Sequence, residues 1–487
     1  MKNLFLQSSI LLFATALAYS SDITVSDSGG NWSSASAWSG SVLPSASDTV
    51  IFSSTSGTLN VDSNYSVFAI KFASSTNNIT IGDATLSLSA NTTSNPPLTA
   101  SNTSAWQTSI LNISGTSENS KLAFTSTSQT AIQRGIYNLN VATSIAAVYL
   151  LYGEINIKYK DSDFSDDNYS FYSGGDYSGG YYSTLNVAAG ASAYFKGAFA
   201  NWGKDAVVTV EEGGYLEIKG GGLRAKNTSM SDLYRDDGNT VNVAGTLIVQ
   251  GVTASSNTAV GNNISMYVVH LNVESSGVLE LNGAADAYVS NSMTNYGKIT
   301  VKQNLYLSDK SKITLGKGSD IRTNGASSQS ETYLYVAMNE TLGGSTNLRP
   351  VIISGQNGIA SVSLILESDQ ALGGFKFAGG SSMDLTLNGN QLSLESIEML
   401  TTGSLLITIN DFDNGLFRIK EKDTLSLDFV RAYAEIDGEQ VYLSDLEYML
   451  NDDGYYYLYS GMVPEPSTVA AVLGVFALAF AVYRRRK

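Results

Sequence analysis

The sequence predicts an all-β fold: a parallel β-helix or β-solenoid with capping segments, plus a cleaved N-terminal signal and a C-terminal transmembrane helix. Three observations lead there. Between Thr184 and Ile321 apolar and polar residues alternate, as in VTVEEGGYLEIKGG and VNVAGTLIVQG. A period of two marks strands with one buried face. The strand pairs also recur: the central residues Asn186, Thr209, Asn242, Asn272 and Thr300 stand 23, 33, 30 and 28 residues apart. Repeats of that length bury their apolar face only by stacking on one another. Finally, Gly is abundant (45) and Pro scarce (6), which suits short strands joined by corners of Gly, Asn, Asp and Ser. A β-sandwich or a series of hairpins uses similar strands. The variable repeat length and weak turn dipeptides favour the solenoid.

Composition narrows the chemistry. Cysteine is absent, which excludes disulfides, thiolate metal sites and a cysteine nucleophile. His270 is the one histidine, so zinc sites built on paired histidines are excluded and a Ser-His-Asp triad would have to use it. The net charge is −16, and loss of both ends would remove five of the 28 cations, leaving −21. Such a surface disfavours nucleic acid, and none is expected as a partner. With 43% hydrophobic residues, the chain is too apolar for general disorder.

Residues 1–20 read as a signal peptide: Lys2, an apolar stretch from Leu4 to Ala18, and small residues at Ala16 and Ala18. Residues 21–130 read as a capping segment and irregular coils. Strands are expected at Thr58–Val61, Val67–Phe72, Ile79–Ile81 and Thr85–Leu88. Residues 131–401 form the solenoid proper. From 402 to 462 the strands lengthen and carry more charge, which reads as a small β cap that blocks edge-to-edge growth. Within it, Ser444–Leu450 suggests a helical turn capped by Ser444, and Tyr455–Tyr459 an aromatic strand. The final segment, 463–487, holds 15 consecutive apolar, Gly or Tyr residues from Val469 to Tyr483. As a helix they span roughly 22 Å, short against a hydrocarbon core about 30 Å thick. Arg484, Arg485, Arg486 and Lys487 form a cytoplasmic stop that places the preceding residues outside.

Val463-Pro464-Glu465-Pro466-Ser467, the short apolar helix and the basic end together resemble the PEP-CTERM sorting signal of exported Gram-negative bacterial proteins. The resemblance implies that Pro464, Glu465 and Pro466 are read by a membrane processing enzyme of the exosortase type. It implies passage through the inner membrane to the cell surface, outer membrane or extracellular matrix. A second resemblance covers GNWSSASAWSGSVLPSASDTVIF, Gly30 to Phe52, which is similar to the opening of bacterial autotransporter-like β-solenoid surface proteins. In that setting Trp32 and Trp38 would seal the first coil; stacking on carbohydrate is their alternative role.

No catalytic residue stands out. Asp161, Asp163, Asp166 and Asp167 crowd one segment, but an EF-hand starting at Asp161 has Asp166 where it needs Gly. They are weak Ca²⁺ candidates, and no other cofactor is expected. Tyr172, Tyr177, Tyr181 and Tyr182 follow, suited to sugar or partner contacts or to folding back onto the solenoid. The acids Glu211-Glu212 and Asp236-Asp237 are sequence neighbours, and neighbours in a strand point to opposite faces. His270 lies in YVVHLNV, a strand context that suggests a structural role. The expected function is an exported cell-surface or matrix protein of structural or adhesive type. Its expected partners are exopolysaccharide or other surface proteins. The alternative is a carbohydrate-active β-helix enzyme, a lyase or hydrolase.

Overall fold

The computed structural model describes residues 21–90, 95–101, 106–126, 129–165, 169–173, 183–201, 206–220, 222–224, 238–250, 264–282, 286–301, 305–307, 312–315, 320–323, 336–338, 351–353, 361–377, 380–399, 403–436 and 438–463. The expected signal peptide, the Pro464–Pro466 motif, the apolar run and the basic end lie outside the described residues. Among the described residues there is no α-helix, and no helix is long and apolar enough to cross a membrane.

The chain is all-β and winds as a solenoid whose strands stack on three faces, the third face starting at Tyr65–Val67. One coil places Ser183–Val187 on what we term the second face, Ser192–Phe195 on the third and Ala198–Asn201 on the first. The next coil repeats this with Val207–Val210, Tyr215–Ile218 and Leu223–Arg224. Each strand pairs in parallel with its counterpart one coil earlier. The alternation in the sequence decides what enters. Val208 and Val210 are buried, whereas Val207 and Thr209 face outward. Four-residue strands therefore send two side chains inward per face, and the apolar columns merge into one continuous core.

The register reaches further than expected at both ends. Asp22–Thr24 already pairs in parallel with Thr49–Phe52, which pairs with Ala69–Phe72. Residues 21–130 thus carry in-register rungs, not irregular coils. At the other end, Leu406–Ile409 still pairs in parallel with Val430–Ile436, past the expected start of the cap. One strand breaks the pattern: Val336–Met338 runs antiparallel on the third face, between Asp320–Thr323 and Gln370–Phe377.

The column behind the sequence repeat is an outward ladder of side-chain amides. On the second face Asn78, Asn112, Asn138, Asn156 and Asn186 stand one above another. Each amide donates to the carbonyl of the previous one, at 2.8, 2.8, 3.0 and 2.7 Å. Thr209, Asn242 and Asn272 continue the column. The next member is Thr294, not Thr300. Thr300 stacks on Glu280 on the third face, because residues 278–281 and 298–301 complete coils on that other face. Sequence spacing alone could not separate two threonines six positions apart. The hydrogen-bonded steps span from 18 to 34 residues, so excess length leaves the coil at its corners and the rungs remain flush. Asn156 also donates to Glu154 at 2.8 Å. Replacing Asn156 by Ala should therefore lower stability by about 1–2 kcal/mol, read from urea unfolding.

Both ends are closed. At the N-terminal end Trp32 and Trp38 pack edge to face at 5.0 Å, and Trp32 stacks on Tyr65 at 5.1 Å. The Trp38 indole donates to the Trp32 carbonyl at 2.9 Å. At the C-terminal end the chain turns to antiparallel pairing. Val430–Ile436 pairs with Glu439–Leu443, and Tyr456–Tyr459 is held between Phe417–Ile419 and Glu447–Leu450. The expected helical turn at 444–450 is therefore a strand from Glu447 onward: pairing with Tyr456–Tyr459 satisfies its backbone, and Leu458 on that partner is fully buried. Reversed direction means the next coil cannot be copied, which protects the open edge.

Candidate functional site

The sequence candidates disperse. Trp32 and Trp38 are buried, at 0% and 2% exposure. Neither offers a ring to a sugar, because both fill the mouth of the first coil; this corrects their assignment as contact residues. Asp161 and Asp163 are exposed on the third-face side; Asp163 stands in a strand register with Ser144 below and Tyr194 above. Asp166, Asp167, Tyr177, Tyr181, Tyr182 and the Asp236-Asp237 pair lie outside the described residues, and Tyr172 is placed only by its backbone in Tyr169–Ser173. Among the described residues no three His, Asp or Glu side chains form a group able to hold a metal ion. Glu211 and Glu212 belong to a turn, not a strand, and Glu211 accepts from the Ala189 amide at 3.2 Å.

His270 stands on the second face, half-buried, with Nδ1 at 2.8 Å from the Ser292 hydroxyl. Burial pushes its pKa down from the ordinary value. A lowered folded-state value means that the unfolded chain binds the proton more readily. The stability His270 contributes is therefore present above about pH 6.5 and is lost as pH falls through the folded-state value. As the one histidine, its ring resonance in proton NMR should titrate below the value for the unfolded chain.

A constellation that local sequence reading misses lies on the third face. Parallel pairing builds an outward column of Asp163, Tyr194, Glu217, Ile248 and Glu280. A neighbouring column places Tyr215 beside it. The Tyr194 and Tyr215 rings are 5.7 Å apart and tilted by 48°. The Tyr215 hydroxyl donates to Glu217 Oε2 at 3.2 Å, and Gln250 Nε2 donates to Glu217 Oε1 at 3.1 Å. Lys219 Nζ is 4.0 Å from Glu217 Oε2 and 4.7 Å from the centre of the Tyr194 ring. One rung further along, beyond Ile248, Asn282 donates to Glu280 at 3.3 Å.

The electrostatics follow from this packing. Burial, then the Glu217 charge, pushes Tyr215 up to about 12, so its hydroxyl keeps its proton and remains a donor at neutral pH. Glu217 is only 15% exposed, whereas the Lys219 side chain is half exposed. The carboxylate is held between three donors and keeps acceptor sites free, since it has about four. Tyr215, Glu217 and Lys219 come from one alternating run, YLEIK, whose outward letters were legible. Their meeting with Tyr194 and Gln250 depends on coil register.

No protein-family model matches the chain, and neither a curated protein nor a solved structure does.

Proposed function

We propose that the chain is an exported cell-surface or extracellular-matrix protein of structural or adhesive type, a capped rod that holds or organises polysaccharide. The observation that carries this reading is the stacking of parallel rungs, continuous on the second face from Gly30 to Ala432. At about 4.8 Å per rung, the second face alone extends on the order of 70 Å. A rod of that kind repeats its outward side chains in ladders and suits an extended partner better than a small substrate. The C-terminal Pro464-Glu465-Pro466 segment, the apolar run and the basic end support delivery through the inner membrane and processing by an exosortase-type enzyme.

Two measurements test the reading. Cell fractionation with intact mass spectrometry of the mature protein should place it outside the inner membrane without Arg484 to Lys487. A mature chain that still carries those residues removes the processing step. Incubation of purified protein with acidic and neutral glycans should release no new reducing ends; depolymerisation of any of them replaces the scaffold with a carbohydrate-active enzyme.

A further inference from the structure

The geometry points to a saccharide-binding strip on the third face, centred on Tyr194, Tyr215 and Glu217, that takes a neutral, hydroxyl-rich polysaccharide chain lying along the rod axis. This rests on the reading of the protein as a polysaccharide-holding rod, and it names the surface and the ligand class.

Four features of the strip select that ligand. First, Tyr194 and Tyr215 are partly exposed aromatic side chains on adjacent rungs. Their apolar faces complement the C–H faces of pyranose rings, and their hydroxyls remain polar handles. Second, Glu217 is fixed by Tyr215 and Gln250, one donor on each oxygen. A carboxylate held still with free lone pairs is suited to accept from sugar hydroxyls, and little side-chain entropy is left to lose on binding. Third, Gln250 and Lys219 are exposed beside it and supply donors for ring and hydroxyl oxygens. Fourth, the rungs repeat at about 4.8 Å, close to the advance of one ring in an extended pyranose chain. The column therefore offers a polar or aromatic contact on three successive rungs, at Asp163, Tyr194 and Glu217, and again at Glu280 beyond Ile248.

Charge decides between glycan classes. Lys219 partly offsets Glu217, but the whole chain carries −16. A polyuronate would approach against that field, while an uncharged chain meets no such barrier. A short oligosaccharide would use one rung and forgo the repeated contacts of the strip.

The test is affinity gel electrophoresis of the purified full-length chain in detergent, with hydroxyethyl cellulose, dextran or polygalacturonate cast in the gel. Retardation by at least one of the two neutral polymers is expected, with little by polygalacturonate. The double variant Tyr194→Ala/Tyr215→Ala should bind at least roughly tenfold more weakly, and Glu217→Gln roughly tenfold more weakly. Tyr215→Phe keeps the ring and should retain most of the binding. Lys121→Ala, outward on the same face but several rungs away, should bind as the parent does. Unchanged circular dichroism and melting midpoint establish that each variant is folded. If the parent is retarded but the double variant is retarded equally, the strip is wrong and the polysaccharide-holding reading survives. If no neutral polymer retards the parent, or if polygalacturonate alone does, the ligand class is wrong. Fractionation then judges surface delivery separately.

Discussion

Phe195→Ala is expected to lower stability by about 3–5 kcal/mol, the largest loss from any single side chain considered for this protein. The Phe195 ring is fully buried. It stacks on Phe164 from the preceding coil at 4.0 Å and 11° and meets Phe199 edge-on at 5.1 Å. Phe199 in turn stacks on Phe171 at 4.3 Å. Two parallel aromatic stacks thus interlock where the third face meets the first, across consecutive coils. Removing the ring leaves a cavity between rigid backbones that cannot close, since each strand is tied to a rung on either side. Contacts in a solenoid are confined to neighbouring coils, so the damage should be local. Urea unfolding should show the loss, and hydrogen exchange should show lost protection in residues 162–201 before other coils. Phe195→Leu, which refills most of the volume, should cost less than half as much. Equal loss for both variants would mean that the ring stacking, not the filled volume, carries the energy.

Gly245→Ala should cost about 3 kcal/mol, for a different reason. Gly245 turns the corner between the second and third faces. A Cβ there would lie 2.3 Å from both the Glu211 and Gly214 carbonyl oxygens of the coil below. Backbone atoms set by the rung spacing cannot step aside as a side-chain tip can. Gly190 is the control. Its φ is +75°, and no atom lies within 4 Å of a Cβ built on it. Gly190→Ala should therefore cost only the left-handed conformation, about 1–2 kcal/mol. Comparing their chemical-denaturation midpoints separates crowding between coils from backbone strain. If the two losses are equal, the stacked corner is not the reason Gly245 must be glycine.

These two effects mark the limit of sequence reading here. Phe195 was legible as an inward position, because SAYF alternates and the strand burial follows it. Its partner Phe164 lies 31 positions earlier, beyond a segment whose length says nothing about where the next coil resumes. The same limit explains Thr300. Counting along the chain put it in series with Asn272 as the next repeat, while the pairing gives that place to Thr294. It also explains the third-face strip: YLEIK shows three outward side chains, but Tyr194 and Gln250 arrive from neighbouring coils. Trp32 and Trp38 were legible too: their expected role as the seal of the first coil agrees with their burial and edge-to-face packing, and only the alternative, stacking on carbohydrate, falls away.

By itself the sequence determined the alternating strands of the repeat region, their inward and outward letters, the stacked all-β architecture and the absence of cysteine chemistry. All of these are local or compositional, because alternation is a property of four consecutive residues and needs no partner. The tertiary structure alone decided which residues share a column, where the coils begin and end, and that the last strands reverse direction. Parallel-paired rungs stand from 18 residues apart, as Asn138 and Asn156 do, to 51, as Lys312 and Ser363 do, while the rung spacing stays that of a sheet. Register is therefore set by backbone hydrogen bonds between distant segments and by how tightly each corner closes. A candidate binding surface made of one residue per rung takes its shape from that register.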